Sequence, residues 1–452
     1  MKFPYYSLSL VLLWFSGVAV AQNASSAPGD DLPRHGIVGL VVAGADSAKP
    51  EEGQTNPPTV KNVVPGGAGE AAGIQPGDTL LELDGKQIAA SASFVQEIGR
   101  HLAGDSVQIV LRRAGQKMEK TVVLKPRPFE TSPDATILYR SITAGGTRRR
   151  TIITHLQSPG RHPAVLIVGG LGCYSLDGTL NESRGYGPIL SALVKEGFVT
   201  MRVEKTGEGD SQGPTCTDST ATAELEASGY AAALDALRSY DFVEPKEIFV
   251  FAHSLGPLLA SLALPGKNVR GVIAAETIGR SWFEYTQENL RRQSALVGEP
   301  LDQVDADVRA HVHCAYHFYL QHESSDEVAK LGNNCKDMIA SNAGMSDAYM
   351  QQIGDINLAK QWKQIEAPVL VIYGTSDPAT SADEGQYLAG IINSFHPGNA
   401  TYREIAGMGH EFGRYDSQLA FLKEVGNTSK PHPFNEVVVA VVLGWLKQHL
   451  PS

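Results

Sequence analysis

The fold is decided by the stretch Ile248–Gly256, which reads IFVFAHSLG. Its first four residues are apolar, as in a strand buried on both faces of a parallel sheet, and Pro257–Ala260 continue as a helix. Between strand and helix, Ser254 occupies a sharp turn, the nucleophile elbow, which requires small residues two positions before and two after the serine. Ala252 and Gly256 meet this requirement, although glycine is usual at the first position. The stretch therefore predicts a serine nucleophile at the edge of a parallel sheet.

Two further strand ends supply an acid and a base in the chain order serine, acid, histidine. The apolar run Pro368–Tyr373 leads to Asp377, the expected acid, and the run Thr401–Ile405 leads through a small-residue loop to His410, the expected base. Because a serine hydroxyl is a weak nucleophile at neutral pH, an imidazole must take its proton and a carboxylate must orient that imidazole. His253, beside the serine, is rejected as the base because neighbouring side chains on an elbow point apart.

Acyl transfer also needs hydrogen-bond donors for the oxyanion. The backbone N–H of Leu255, directly after the nucleophile, is the first expected donor. The strand Ala164–Val168 runs into a glycine-rich turn that reads GGLG, in which the Leu171 N–H is the second expected donor, with Gly170 and Cys173 as neighbouring alternatives. The spacing of these glycines matches neither a dinucleotide fingerprint nor a P-loop, so we predict no phosphate site.

Residues from about 137 to 452 resemble an alpha/beta-hydrolase of the branch that includes serine aminopeptidase-like and dienelactone-hydrolase-like proteins. The resemblance is carried by the elbow, by the oxyanion turn at 169–173, and by the sequence RVEKTGEGDSQG at 202–213, where Glu204 replaces the family's aspartate. It implies an α/β fold with an eight-stranded, mostly parallel sheet, helices on both faces, and hydrolysis through an acyl-enzyme. It leaves the bond that is cleaved open, because this fold hosts esterases, peptidases, thioesterases and lyases.

About 90 residues separate the strand that ends near Glu276 from the Asp377 strand, which is more than one crossover helix requires. We predict a helical cap at about 279–365. Aromatic side chains of this segment are expected to form an apolar roof over the serine: Trp282, Phe283, Tyr285, Tyr316, Phe318 and Tyr319. His313 and His317 have the spacing of a helical metal pair, but no third ligand accompanies them in a known motif, so no metal and no cofactor is predicted.

The N-terminal part resembles a second family. Residues from about 34 to 125 are similar to the circularly permuted PDZ domains of exported bacterial proteases, through VVPGGAGEAAGIQPGD at 63–78 and TLLELDGK at 79–86. Such a module adds an extended peptide to a sheet edge and captures its terminal carboxylate with backbone amides. The expected peptide-binding loop is Ile37, Val38, Gly39 and Leu40. A PDZ-shaped spacer that binds nothing is the alternative.

Residues 1–21 read as a signal peptide, with Lys2, an apolar stretch, and a small-x-small cleavage site that ends at Ala21. The apolar stretch is too short for a stable membrane span, so we expect a secreted or periplasmic protein. Residues 22–33 and 126–136 are predicted linkers.

Composition narrows the partners. The formal charge of −11 disfavours nucleic-acid binding, and the basic run at 148–150 is interpreted as a solvated strand edge. Four cysteines in an exported chain favour disulfides. Three connectivities are possible, and we favour Cys173 with Cys216 and Cys314 with Cys335, since the members of each pair lie in the same region of the predicted fold.

Three functions fit these observations. The first is a secreted serine hydrolase that acts on esters or related acyl compounds. The second is a serine peptidase whose PDZ domain delivers polypeptide ends. The third is a non-catalytic peptide-binding protein, for which the departure at Ala252 is the only indication.

Overall fold

The computed structural model describes residues 32–43, 57–342, 344–424 and 432–451. The predicted signal peptide and nearly all of the linker at 22–33 lie outside the described residues. The chain divides into a smaller unit, Asp31–Phe129, and a larger unit that begins at Glu130. In the described part of the chain, no helix is both long and apolar enough to cross a membrane.

The smaller unit is rich in β-structure. Its elements are β1 (Gly36–Ile37), β2 (Leu40–Ala43), β3 (Thr59–Val63), α1 (Ala68–Ala71), β4 (Thr79–Leu83), β5 (Lys86–Gln87), α2 (Ser91–Ile98), β6 (Ser106–Arg113), β7 (Gln116–Val123) and β8 (Lys125–Pro126). The main sheet has the order β2-β3-β4-β6-β7, with β5 paired to β4, while β1 pairs with β8. Alternate residues of β6 (Val107, Ile109 and Leu111) are fully buried in the core. The predicted β-rich N-terminal domain is confirmed.

The predicted linker between the two domains is wrong at both ends. Its first residue belongs to β8, and the Arg34 guanidinium donates to the carbonyls of Arg127 (3.1 Å) and Pro128 (2.8 Å). Further on, Glu130 is buried in the larger unit, where its carboxylate makes two hydrogen bonds with Arg202 (2.6 and 2.5 Å). Long-range hydrogen bonds include these residues in the two folded units.

The larger unit is built on an eight-stranded sheet. Its strands are β9 (Ala135–Ala144), β10 (Thr147–Leu156), β11 (His162–Val168), β12 (Val199–Val203), β13 (Val243–His253), β14 (Gly271–Ala275), β15 (Val369–Gly374) and β16 (Ala400–Ile405). They lie in the order β9-β10-β12-β11-β13-β14-β15-β16. The pairs β9–β10 and β10–β12 are antiparallel and the other five are parallel. The mostly parallel sheet is confirmed, and its parallel strands end at one common edge.

Helices cover both faces of this sheet. They are α3 (Tyr186–Lys195), α4 (Ala223–Arg238), α5 (Gly256–Ala263), α12 (Ala382–Phe395), α13 (Gln418–Glu424) and α14 (Val437–Gln448), together with a 3₁₀ turn at Thr179–Asn181. Because side chains alternate along a strand, Phe249 and Phe251 pack with α3 and α14 on one face. Val250 points the other way and packs with α4, α5 and α12.

The insertion between β14 and β15 is helical. It contains α6 (Trp282–Leu296), α7 (Leu301–Ala315), a π-helical turn (Tyr316–Leu320), α8 (Ser325–Ala329), α9 (Asn333–Ala340), α10 (Asp347–Asp355) and α11 (Leu358–Trp362). Of the second half of the expected aromatic roof, Phe318 and Tyr319 are fully buried in the core, whereas Tyr316 is exposed and does not contribute to the core.

Two disulfides join Cys173 to Cys216 and Cys314 to Cys335, with Cα–Cα distances of 5.6 and 5.2 Å. The interpretation of the basic run as a solvated edge is wrong. Arg149 and Arg150 are buried. Arg150 pairs with Asp210 at 3.1 Å, and Arg149 donates to the carbonyls of Leu225 and Glu226 on α4.

Candidate active site

Ser254 lies between β13 and α5 in a strained backbone conformation. Its φ is +59°, a left-handed value that is costly for a residue with a side chain. The Ser254 N–H donates to the carbonyl of Ala275 on the neighbouring strand (2.9 Å), which holds the turn. A Cβ at position 256 would lie 2.6 Å from the Val168 carbonyl oxygen, which is too close, so position 256 requires glycine. The predicted elbow is therefore present as a strand-to-helix turn.

The structure brings Ser254, His410 and Asp377 into one hydrogen-bonded chain. The Ser254 hydroxyl lies 2.9 Å from His410 Nε2, and His410 Nδ1 lies 2.8 Å from Asp377 Oδ2. Asp377 and His410 follow β15 and β16, so all three side chains meet at the carboxyl edge of the sheet. With Nδ1–H donating to the carboxylate, Nε2 is free to accept the serine proton.

Electrostatics favour a proton-accepting His410. Burial alone would lower the pKa of this imidazole, but the Asp377 charge, its hydrogen bond and the nearby Glu411 raise the pKa above the usual 6.5. Burial would raise the pKa of Asp377, yet His410 and hydrogen-bond donors hold it well below its usual value. These donors include the Ala379 N–H (2.7 Å) and the Thr380 hydroxyl (2.8 Å).

The sequence analysis missed Glu276 as a functional residue. Glu276 directly follows β14, has a φ of +50° and is completely buried. Its carboxylate, that of Asp377 and the His410 ring nitrogen have ligand atoms within 4.8 Å of one another. Burial and then the Asp377 charge raise the pKa of Glu276 well above its usual value. The raised pKa favours the neutral, protonated form of Glu276 beside the Asp377 carboxylate.

The sequence around Glu276 contains a local indication that this side chain is buried. An acidic residue that directly follows the apolar run Gly271–Ala275 cannot reach solvent easily, and this strand is the neighbour of the one that carries the serine. Sequence reasoning treated the glutamate as a strand end because the predicted acid was already assigned to the next strand.

The two predicted oxyanion donors belong to turns next to the serine. In the described part of the chain, neither the Leu171 nor the Leu255 N–H donates to a protein acceptor. The glycine turn before Leu171 lies close to Ser254, since a Cβ at Gly170 would lie 2.8 Å from the Ser254 Cβ. This arrangement leaves two backbone donors available beside one hydroxyl.

His253 has both ring nitrogens engaged away from the serine. Its Nε2–H donates to the His410 carbonyl (2.8 Å), and its Nδ1 accepts from the Tyr186 hydroxyl (2.9 Å). Burial, followed by the neighbouring His410, lowers the pKa of His253 to about 3. The neutral ring connects the elbow to the backbone of the His410 loop.

Among the described residues, two clusters have the composition of a metal site. Glu276, Asp377 and His410 form one, and Glu208 with Cys173 and Cys216 forms the other. In the first set His410 is hydrogen-bonded to both Asp377 and Ser254, and the two cysteines of the second are bonded to each other, so neither has the geometry of an open ligand set. On the insertion, His317 Nδ1 contacts Glu323 at 2.7 Å.

The predicted peptide-binding loop lies between β1 and β2 of the smaller unit. The Val38 carbonyl accepts from Gly69 N–H (2.7 Å), and the Gly39 carbonyl accepts from Val64 N–H (2.9 Å). Gly39 has a φ of +76°. A separate cleft of about 510 Å³ is lined by α1, β7 and β8, and Ile37–Leu40 do not contribute to it.

Comparison with known proteins agrees with this geometry. The profile of the alpha/beta hydrolase family matches residues 164–423, more than half of the sequence, and a PDZ domain profile matches residues 44–124. The chain belongs to the alpha/beta hydrolase family and carries a PDZ domain before the hydrolase domain. The fold and the family define the protein as a hydrolase.

Individual relatives are distant. An esterase of Pyrococcus furiosus is 15% identical over 72% of this chain and 97% of its own, with a TM-score of 0.44. Proline iminopeptidase of Mycobacterium smegmatis is 18% identical over 69% of this chain and 98% of its own, with a TM-score of 0.42. A Vibrio cholerae protein provisionally named a zinc metalloprotease is 39% identical over 62 residues, which span 14% of each protein.

Proposed function

We propose that this protein is an exported serine hydrolase that cleaves ester or related acyl bonds through Ser254, His410 and Asp377. The observation that carries the proposal is the continuous hydrogen-bonded chain from Asp377 through His410 to a serine held at positive φ on the elbow. A serine in ordinary structural use requires neither the strained backbone nor a buried histidine–carboxylate pair behind it.

In the proposed reaction, His410 Nε2 takes the Ser254 proton as Oγ attacks the acyl carbon. The Leu171 and Leu255 amides hold the negative oxygen of the tetrahedral intermediate. His410 then protonates the leaving group, and a water molecule resolves the acyl-enzyme by the same route. Asp377 keeps Nδ1 protonated throughout, so that Nε2 is the nitrogen that exchanges protons.

Peptidase activity is the second candidate, and the PDZ domain is the observation that favours it. A domain of this class binds extended polypeptide ends at a sheet edge, and Ile37–Leu40 is the segment we propose for that contact. The same triad cleaves amides when the leaving amine is protonated by the histidine. Delivery of polypeptide ends would then select the substrate.

The first test is labelling of the purified protein with a fluorophosphonate, followed by mapping of the modified peptide. We expect one adduct, on Ser254, and none in Ser254→Ala. A folded protein that resists the probe would favour a non-catalytic, peptide-binding role. His253→Ala serves as the matched control on the neighbouring residue, and it should still be labelled.

A panel of short-chain esters and aminoacyl amides separates the two hydrolase candidates. Turnover of esters alone supports the first proposal. Amide turnover that falls when residues 37–40 are replaced by a flexible Gly-Ser segment supports the second, because the loop belongs to the other domain and supplies no residue of the triad.

A further inference from the structure

A buried lysine contacts the oxyanion turn from behind. Lys205 follows β12, and its side chain is 3% exposed. Its ammonium donates to the Gly170 carbonyl oxygen (2.5 Å), lies 3.2 Å from a carboxylate oxygen of Glu226, and stands 4.8 Å from the centre of the Tyr174 ring. Burying an ammonium is costly unless it is paired and hydrogen-bonded. Packing alone does not explain why the charged Lys205 side chain is buried behind the oxyanion turn.

The bond to Gly170 acts on the neighbouring donor. The Gly170 carbonyl and the Leu171 N–H belong to one peptide group, which is planar and trans, so the oxygen and the hydrogen point in opposite directions. The Tyr174 hydroxyl donates to the same oxygen (3.3 Å). A carbonyl held on one side by two donors fixes the direction of the N–H on the other side. A Cβ at Gly170 would lie 2.8 Å from the Ser254 Cβ, so this peptide lies close to the serine side chain.

We propose that Lys205 is a positioning residue of the oxyanion site. It fixes the Gly170–Leu171 peptide so that the Leu171 N–H faces the substrate oxygen. Its positive charge also draws electron density toward the carbonyl oxygen, which strengthens the N–H as a donor while negative charge develops on the substrate. This inference rests on the proposed function, since it assumes that Leu171 stabilises an oxyanion.

Glu226 holds the lysine in place and connects it to the insertion. Its carboxylate, 4% exposed on α4, accepts from the Tyr230 hydroxyl (3.1 Å) and from the Tyr349 hydroxyl (2.8 Å). Tyr349 belongs to α10, so one ion pair joins the sheet, α4 and the insertion behind the oxyanion turn. The geometry of the Leu171 donor consequently depends on how the helical insertion packs against α4.

The test separates positioning from simple stability. Lys205→Met alone leaves Glu226 buried without a cation, so we pair it with Glu226→Gln, which removes both charges and keeps hydrogen-bonding groups for the two tyrosines. We expect the double variant to melt close to the wild type while kcat for an ester falls about tenfold and KM stays unchanged. This loss is smaller than that for removal of an oxyanion donor, because the donor remains. Binding of a boronic acid analogue, which forms a tetrahedral anionic adduct with the serine, should weaken by the same factor.

A matched control is Arg150→Met with Asp210→Asn, which removes a pair buried to the same degree. We expect unchanged kcat. Lys205→Gln is a second variant that retains donors, so folding is less affected, and its kcat should fall about fivefold because the charge is lost.

The possible outcomes distinguish failure of the Lys205 proposal from failure of the proposed serine mechanism. Wild-type kcat in either folded Lys205 variant overturns the role of Lys205 while the serine mechanism stands. An equal loss in the Arg150 control also overturns it, because any buried pair would then suffice. Absence of probe labelling in the wild type overturns both proposals together.

Discussion

The two sides of Ser254 carry buried charge of opposite sign. On the base side, the group behind His410 is the Asp377 carboxylate, at 2.8 Å. On the oxyanion side, the group behind the Gly170–Leu171 peptide is the Lys205 ammonium, at 2.5 Å. In the proposed acyl transfer, positive charge develops on the imidazole and negative charge on the substrate oxygen. Each buried charge is therefore opposite in sign to the charge that develops in front of it, which is the arrangement that stabilises a transition state without reorganisation.

The groups behind Asp377 and Lys205 also differ, and the difference again follows from their charges. Behind Asp377 stands a second, buried carboxyl group, Glu276, and its burial together with the Asp377 charge raises its pKa, which favours the protonated form. Behind Lys205 stands Glu226 as an ion-pair partner at 3.2 Å. The group behind the anion is therefore a carboxyl whose pKa is raised, and the group behind the cation is an ion-pair partner. Variants that affect one side only can test whether the two sides act separately.

The largest expected effect is on the base side. Asp377→Asn removes the charge behind His410 and favours the wrong tautomer, so kcat should fall by about 10⁴-fold. Steady-state turnover of the best ester measures this. Little effect would mean that the imidazole is oriented by other contacts, such as the His253 bond to its backbone.

Breaking the disulfides tests the oxyanion side. Cys173→Ser with Cys216→Ser should lower the free energy of unfolding by roughly 2–4 kcal/mol and should also reduce kcat several-fold, since Cys173 lies two residues after the Leu171 donor. The matched control, Cys314→Ser with Cys335→Ser, should cost similar stability without changing kcat. Denaturant titration and ester turnover are the two measurements. Equal kcat in both variants would show that the Cys173–Cys216 disulfide does not affect the oxyanion donor.

Glu276 variants test the proton behind Asp377. Glu276→Gln keeps a donor without charge and should retain most activity, with the pH profile unmoved. Glu276→Leu removes the polar group next to the Asp377 carboxylate, and kcat should fall up to about tenfold. If the glutamine variant moved the acid limb of the pH–rate profile to lower pH, Glu276 would have to be ionised in the native protein.

The smallest expected effect concerns Glu411. Its charge contributes to the raised pKa of His410, so Glu411→Gln should shift the acid limb of kcat/KM to lower pH. Above the midpoint, where His410 is already neutral, the rate should stay unchanged. A pH–rate series on both proteins measures the shift, and a loss of rate at all pH values would indicate a role in substrate contact instead.

The sequence predicted the local features better than the long-range ones. The elbow, the acid strand and the histidine loop are each defined by a few adjacent residues, and the structure brings the three predicted side chains together. The buried arginines were missed, because burial of Arg149 and Arg150 depends on acceptors from α4 and from a loop about 60 residues away. Lys205 and Glu276 were missed for the same reason, since their partners come from other strands and helices.

The most direct test is the pH dependence of fluorophosphonate labelling of the whole protein, with the adduct mapped at each pH. The account predicts modification of Ser254 alone, at a rate that falls with acid through a midpoint above 6.5, the usual pKa of histidine. Labelling at another residue, or a Ser254 rate that does not change as His410 becomes protonated, would contradict it.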